Sequence, residues 1–322
     1  MNLPGEPPRE HPAGRPPLGA SPFGGPPPFG GPPTGDLVPP PADVSHIARK
    51  WLDLPYATLS PAQRLDIYLP AHGDGPFPVI FSIHGGAFAI GDKRDVQLSP
   101  FLTGLDRGFA VVSVNYRLSG EAIFPAGLQD TKAALRWLRA HAAEYSLDTD
   151  RIVAWGGSSG ANYAVMVGVT AGEPLFDDPV LGNETFASDV ALVVDWYGPM
   201  DFLTMDCQLA QSCLGPVDHN EPWSPESRYL GAKITDVPEK VRSASPLAYV
   251  DDRVPPILIQ HGLMDNLVPY QQSEQLAAAL ATVAGRERFE IDLLEGLGHA
   301  DPRFETPENL DRVFRFIKER LS

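Results

Sequence analysis

The chain has 322 residues, 43% of them hydrophobic, enough for one substantial core. Its 41 acidic and 25 basic residues leave a formal net charge of −16, which argues against a nucleic-acid partner, because a phosphate backbone needs clustered Lys and Arg. No apolar run approaches the ~18 residues of a membrane helix, so no membrane span is expected. The first 40 residues lack a charged segment followed by an apolar core, so no signal peptide is read and a cytoplasmic location is the default, with secretion left open.

Residues 1–42 differ from the rest. Runs such as Gly24-Gly25-Pro26-Pro27-Pro28 and Gly30-Gly31-Pro32-Pro33 deny the chain helix and ladder hydrogen bonds. Too little apolar surface is present to offset the entropy of ordering, so a disordered tail is expected. A polyproline-binding partner for the tail stays an open alternative. A folded domain is expected over 43–322.

Within it, residues 64–69 (RLDIYL) alternate apolar and polar, as a half-buried strand does. Residues 78–83 (PVIFSI) and 109–114 (FAVVSV) are short apolar runs suited to strands covered on both faces. Residues 126–143 read as a helix with Leu128, Ala134, Leu135 and Leu138 on one face. Strand 151–155, helix 160–170, strand 190–196, strand 256–261, helix 271–284, strand 289–294 and helix 307–321 follow. Alternating strands and helices predict an α/β fold, a mostly parallel central sheet flanked by helices. Ligands in such sheets sit beyond the carboxyl ends of the strands, so functional residues should follow strands directly.

Residues 199–255 interrupt the alternation and are predicted to be an inserted, cap-like excursion, a plain surface insertion being the alternative. Phe202, Met205, Trp223 and Tyr229 are its candidate pocket walls, although aromatics are more often core. The two cysteines, Cys207 and Cys213, are expected as reduced thiols, with a small local disulfide left open. They are too few for a metal site.

Strand 151–155 runs into Gly156-Gly157-Ser158-Ser159-Gly160 and then an apolar helix. This is G-x-S-x-G in strand–turn–helix context. A serine on so sharp a turn needs small residues two positions before and after it. The spacing therefore selects Ser158 as nucleophile over Ser159, whose backbone N–H is better placed to act as a donor. Strand 78–83 ends in His84-Gly85-Gly86-Ala87-Phe88, where glycines let backbone N–H groups approach a substrate. His84 precedes the serine and is read as a turn-stabilising residue.

A serine hydroxyl needs a general base, and the base needs an orienting acid. In this chain order only His219, His261 and His299 follow Ser158. His299 stands in a loop after strand 289–294 and is chosen as the base. His219 lies in the irregular excursion, and His261 resembles a structural turn residue. Asp265 follows strand 256–261 and is chosen as the acid; Asp195 and Asp201 are rivals whose plainer role is turn capping.

With these motifs in place, residues 43–322 resemble the hormone-sensitive-lipase-like and bacterial feruloyl-esterase-like (BD-FAE-type) carboxylesterases of the α/β-hydrolase superfamily. The resemblance is carried by HGGAF at 84–88, VNYRL at 114–118, the 124–152 segment, GGSSG at 156–160, SPESRYLG at 224–231, HGLMDNLVP at 261–269 and GLGHAD at 296–301. It implies hydrolysis of small-molecule carboxylic esters without a cofactor or metal. It also implies Ser158 as nucleophile, His299 as base, Asp265 as its orienter, and the N–H groups of Gly86, Ala87 and Ser159 as an oxyanion hole. Many relatives carry a third Gly where Ala87 stands and Ala where Ser159 stands, and both departures keep the N–H. An amidase, arylformamidase or peptidase on the same machinery, and a non-catalytic binding protein of this fold, are the alternatives. Homo-oligomerisation is left open.

Overall fold

The computed structural model of the chain describes residues 39–321. Residues 1–38 of the expected tail lie outside the described residues. The tail's expected end is already seated on the domain: Ala42 is buried, its N–H donates to the Arg94 carbonyl at 2.8 Å, and Pro41 bridges Asp95. The described domain thus starts slightly before the predicted boundary at 43.

Eight strands form one sheet: β1 (Lys50–Pro55), β2 (Arg64–Tyr68), β3 (Phe77–Ile83), β4 (Ala110–Val114), β5 (Leu147–Gly157), β6 (Leu192–Trp196), β7 (Ile257–Gly262) and β8 (Phe289–Leu294). Their order is β1-β2-β4-β3-β5-β6-β7-β8. The β1–β2 and β2–β4 pairs are antiparallel, and every pair from β4 through β8 is parallel. All seven predicted strands are present. The additional strand, β1, carries the mixed sequence KWLDLP and is mostly exposed at the sheet edge, so no alternation marks it.

The parallel strands are apolar because both of their faces are covered. Val79, Phe81, Val112, Ile152, Ala154 and Ile259 point into one apolar layer with α2 (Ala126–Ala140), α3 (Ser159–Val169) and α7 (Gln271–Val283). Ile80, Val111, Val153, Trp155 and Leu258 point to the other face. There they meet Phe101 of α1 (Ser99–Leu102) and Val313, Phe314, Phe316 and Ile317 of α8 (Pro307–Leu321). Each large side chain so buried contributes ~1.5–3 kcal/mol.

Helix α2 buries its predicted face and more. Asp130, Lys132 and Arg136 are buried too, because each has an ionic partner. Asp130 takes a fork of bonds from Arg117, and Arg136 and Lys132 converge on Asp177 at 2.9 and 3.0 Å. The VNYRL segment is thus structural: Asn115 holds the 92–93 loop through Asp92 and the Lys93 N–H, while Arg117 holds α2. Every residue of α3 is buried, as a helix apolar all round requires.

The excursion lies between β6 and β7, as predicted, and is more regular than its sequence suggests. It contains α4 (Phe202–Ser212), α5 (Pro225–Leu230) and α6 (Pro238–Ser243). Asp201 caps α4 by accepting the Leu203 N–H at 3.1 Å, and Ser224 caps α5. Phe202, Met205 and Tyr229 are buried in the main apolar cluster, which makes them core, and Trp223 is partly buried. Cys207 and Cys213 are free and exposed. No helix among the described residues is long and apolar enough to cross a membrane.

Candidate active site

The carboxyl ends of β3, β5, β6, β7 and β8 converge on one side of the sheet. Ser158 follows β5 directly, with φ 56° and ψ −125°. A side chain in that region is strained, and the surroundings hold it there. Its N–H donates to the Trp196 carbonyl of β6 at 2.9 Å, and its carbonyl accepts from Ala161 and Asn162 in α3. The flanking glycines have a steric cause. A Cβ on Gly156 would overlap the Gly160 backbone, and a Cβ on Gly160 would overlap the carbonyl oxygens of Ile83 and His84. The small residues of G-x-S-x-G thus let α3 press against the end of β3.

His299 comes from the loop after β8. Its Nε2 lies 3.0 Å from Ser158 Oγ, and its Nδ1 lies 2.8 Å from Asp265 Oδ2. The structure brings together the three side chains that the sequence singled out. An imidazole between a hydroxyl and a carboxylate can take a proton at one nitrogen while the other is held as a donor. Tyr197, at the end of β6, sets its ring edge against the His299 ring at a centroid distance of 5.0 Å.

Asp265 is fully buried. Burial alone would push its carboxyl up, but the facing His299 and His261 outweigh it and hold the group well below the usual carboxylate range. Its second oxygen accepts the N–H groups of Leu267 and Val268, each at 2.9 Å. The rivals have the capping roles expected of them. Asp195 Oδ1 accepts the Gly198 N–H at 2.9 Å, and Asp201 caps α4.

The HGGAF loop lies against the serine: a Cβ on Gly85 would sit 3.5 Å from Ser158 Cβ. Gly86 has φ 119° and Ala87 and Phe88 have φ 54° and 60°, so the loop turns through three left-handed residues. Among the described residues no acceptor takes the N–H of Gly86 or Ala87. Ser159 is the first residue of α3, so its N–H has no carbonyl of its own helix to meet. The Ser159 hydroxyl is buried beside Tyr116 and away from His299, whereas the Ser158 hydroxyl faces His299. His84 stacks on Tyr116 at 4.5 Å and places Nδ1 2.8 Å from the Gly85 carbonyl, consistent with a turn-stabilising part.

Two contacts that support this loop have no local signal in the sequence. Gln97 accepts the Gly85 N–H at 3.0 Å and is itself held by Asp95. Phe88 stacks on Tyr229 of the excursion at 4.0 Å. Nothing local to Gln97 marks it; Tyr229 lies in the SPESRYLG segment that carried part of the resemblance.

Sheet order, the strand–turn–helix at Ser158 and the positions of Asp265 and His299 after β7 and β8 define an α/β-hydrolase fold. The BD-FAE family model matches residues 65–280, more than half of the chain, and the chain belongs to that family. It is 32% identical to Esterase LipQ of Mycobacterium tuberculosis over 231 residues, 71% of this chain and 52% of that one. It is 29% identical to Esterase LipC of the same organism over 248 residues, 74% of this chain and 57% of that one. The chain thus spans about half the length of these curated relatives. Among solved structures, a truncated carbohydrate esterase from gut microbiota superposes with a TM-score of 0.77 at 31% identity, covering 87% of this chain and 99% of that one. Esterase 2 of Thermogutta terrifontis, in a propionate-bound structure, shares the fold with a TM-score of 0.66 at 23% identity, covering 85% and 94%.

Proposed function

We propose that this protein hydrolyses small carboxylic esters by a two-step acyl transfer, with Ser158 as nucleophile, His299 as base and acid, and Asp265 as the orienting carboxylate. The observation that carries the reading is the continuous hydrogen-bonded line from Ser158 Oγ through His299 to buried Asp265. The esterase names among its relatives support the same class.

His299 Nε2 takes the Ser158 proton as Oγ bonds to the ester carbonyl carbon. The oxyanion is received by the N–H groups of Gly86, Ala87 and Ser159, each such donor contributing ~3–4 kcal/mol to barrier lowering. Collapse breaks the C–O bond, and the imidazolium protonates the departing alcohol. Water, deprotonated by His299, then attacks the acyl-serine and releases the acid. Aryl or short-chain acyl esters are the proposed substrates. The 199–255 excursion is proposed to wall the site, supported by its contacts with Phe88 and with the Asp265 loop.

The test is twofold. Ser158→Ala is expected to lose at least about a thousand-fold in kcat on p-nitrophenyl acetate. A fluorophosphonate probe is expected to label Ser158, read by peptide mass spectrometry. Retained turnover in the variant, or label on Ser159, overturns the assignment. A series of p-nitrophenyl esters from C2 to C12, with methyl ferulate, measures acyl preference.

A further inference from the structure

His219 was set aside in the sequence as a residue of the irregular excursion. In the structure it is buried and faces the loop that carries Asp265. Its Nε2 lies 3.0 Å from the Leu267 carbonyl oxygen. Its Nδ1 lies 3.2 Å from Glu226 Oε1 of α5, an ion pair set off the ideal hydrogen-bond line. The loop around it is pinned to α4, because the Asp206 carboxylate accepts the N–H groups of His219 and Asn220, each at 2.9 Å.

Neither ring partner can donate a proton. A carbonyl oxygen and a carboxylate only accept, so a neutral ring would turn one bare lone pair toward an acceptor. Glu226 is buried, and among the described residues its other oxygen takes no hydrogen bond, so an imidazolium is the charge that offsets it. The atoms beyond Leu267 give this cation a target. The Leu267 carbonyl and the Val268 N–H are two ends of one peptide plane, and that N–H donates to Asp265 Oδ1 at 2.9 Å. A cation on the oxygen end polarises the peptide and strengthens its N–H as a donor.

We propose that His219, as an imidazolium, is a positioning residue for Asp265, acting through the Leu267–Val268 peptide and so tying the 199–255 excursion to the reacting groups. This rests on the assignment of Ser158, His299 and Asp265 above. The groups facing His219 are Glu226 from α5, Asp206 from α4, the neighbouring Asp218, and the Leu267 carbonyl of the Asp265 loop. Burial alone would favour the neutral ring; Glu226, Asp206 and the carbonyl outweigh it and raise His219 to about 9. The grip is therefore present at neutral pH and weakens as pH rises through about 9.

The test uses the full chain and p-nitrophenyl acetate. His219→Ala is expected to lower kcat about 10- to 100-fold while KM stays within about three-fold, the size of a small misplacement of reacting groups. Placed in an Asp265→Asn background, the same substitution is expected to add no further loss, because it acts only through that carboxylate. An unchanged kcat, or an equal loss on top of Asp265→Asn, overturns the proposal. If circular dichroism shows His219→Ala unfolded, Glu226→Gln carries the test. It removes the facing charge, so the alkaline fall of kcat is expected to move to lower pH, and an unmoved limb overturns the proposal. The ionic grip is read without turnover by NMR titration: His219 near 9 supports it, and an ordinary histidine value overturns it. A wild-type protein inactive on every ester would overturn the esterase reading, and the titration would still decide the grip.

Discussion

The imidazole of His261 stands 3.3 Å from the Asp265 carboxylate, and both side chains are wholly out of solvent. Its Nε2 also faces the Val268 carbonyl at 2.9 Å, while Nδ1 faces the Ser273 hydroxyl at 2.7 Å. Val268 and Asp265 only accept, so Nε2 is the donor toward them, and Nδ1 pairs with the Ser273 hydroxyl. Asp265 thus lies between His299 and His261. His261→Phe would fill the volume but strand the Val268 carbonyl, the Ser273 hydroxyl and one side of the carboxylate. A destabilisation of about 2–4 kcal/mol is expected in urea unfolding. A fall in kcat should accompany it. Wild-type stability in this variant would mean that the buried ring contributes little.

Ser158 offers a separation of stability from chemistry. Its backbone, at φ 56° and ψ −125°, costs an alanine as much as a serine but not a glycine. Both Ser158→Ala and Ser158→Gly should be inactive. Strain relief of ~1–3 kcal/mol, less the added unfolded-chain entropy of glycine, leaves the glycine variant more stable by about 1 kcal/mol. Scanning calorimetry of the two variants checks this; equal melting temperatures would argue against strain at the turn.

Tyr229 tests the link between the excursion and the HGGAF loop. It is buried and stacks on Phe88, which immediately follows Ala87. Tyr229→Ala removes the stack and leaves a cavity behind a left-handed loop. A loss of about 3–5 kcal/mol is expected in chemical denaturation. kcat should fall more than KM rises, because the moved groups are the backbone donors proposed to receive the oxyanion. Tyr229→Phe retains the stack and should recover most of both losses.

Much of the fold could be read from the sequence because parallel strands covered on both faces are apolar runs. β3, β4, β5, β6 and β7 stand out for that reason, and Ser158, Asp265 and His299 each follow a strand. β1 was missed because an exposed edge strand has no buried face to impose a pattern. Helices α5 and α6 of the excursion leave little periodicity in the sequence, because each is only six residues long and opens on proline. The contacts of His219 and Gln97 are hidden for a different reason. Their partners, Leu267 and Gly85, lie 48 and 12 residues away, and no local spacing encodes such contacts.

Asp195 supplies a pH-dependent prediction. It is fully buried; one oxygen accepts the Gly198 N–H, and the other has no partner among the described residues. Burial pushes its carboxyl up from 3.8 to about 7, against a smaller opposite pull from His261 and Gly198. Below 3.8 the group is protonated in both folded and unfolded chains and contributes no pH dependence. Between 3.8 and about 7 the unfolded chain releases a proton that the native state keeps, so the native state loses ground as pH rises. Above that window the cost is complete. Asp195→Asn retains the acceptor for Gly198 and cannot ionise. It should match the wild type near pH 4 and exceed it by about 4 kcal/mol at pH 8. Urea unfolding of both proteins across this range measures the difference. An equal gap at pH 4 and pH 8 would mean that Asp195 ionises in the native state as freely as in the unfolded chain.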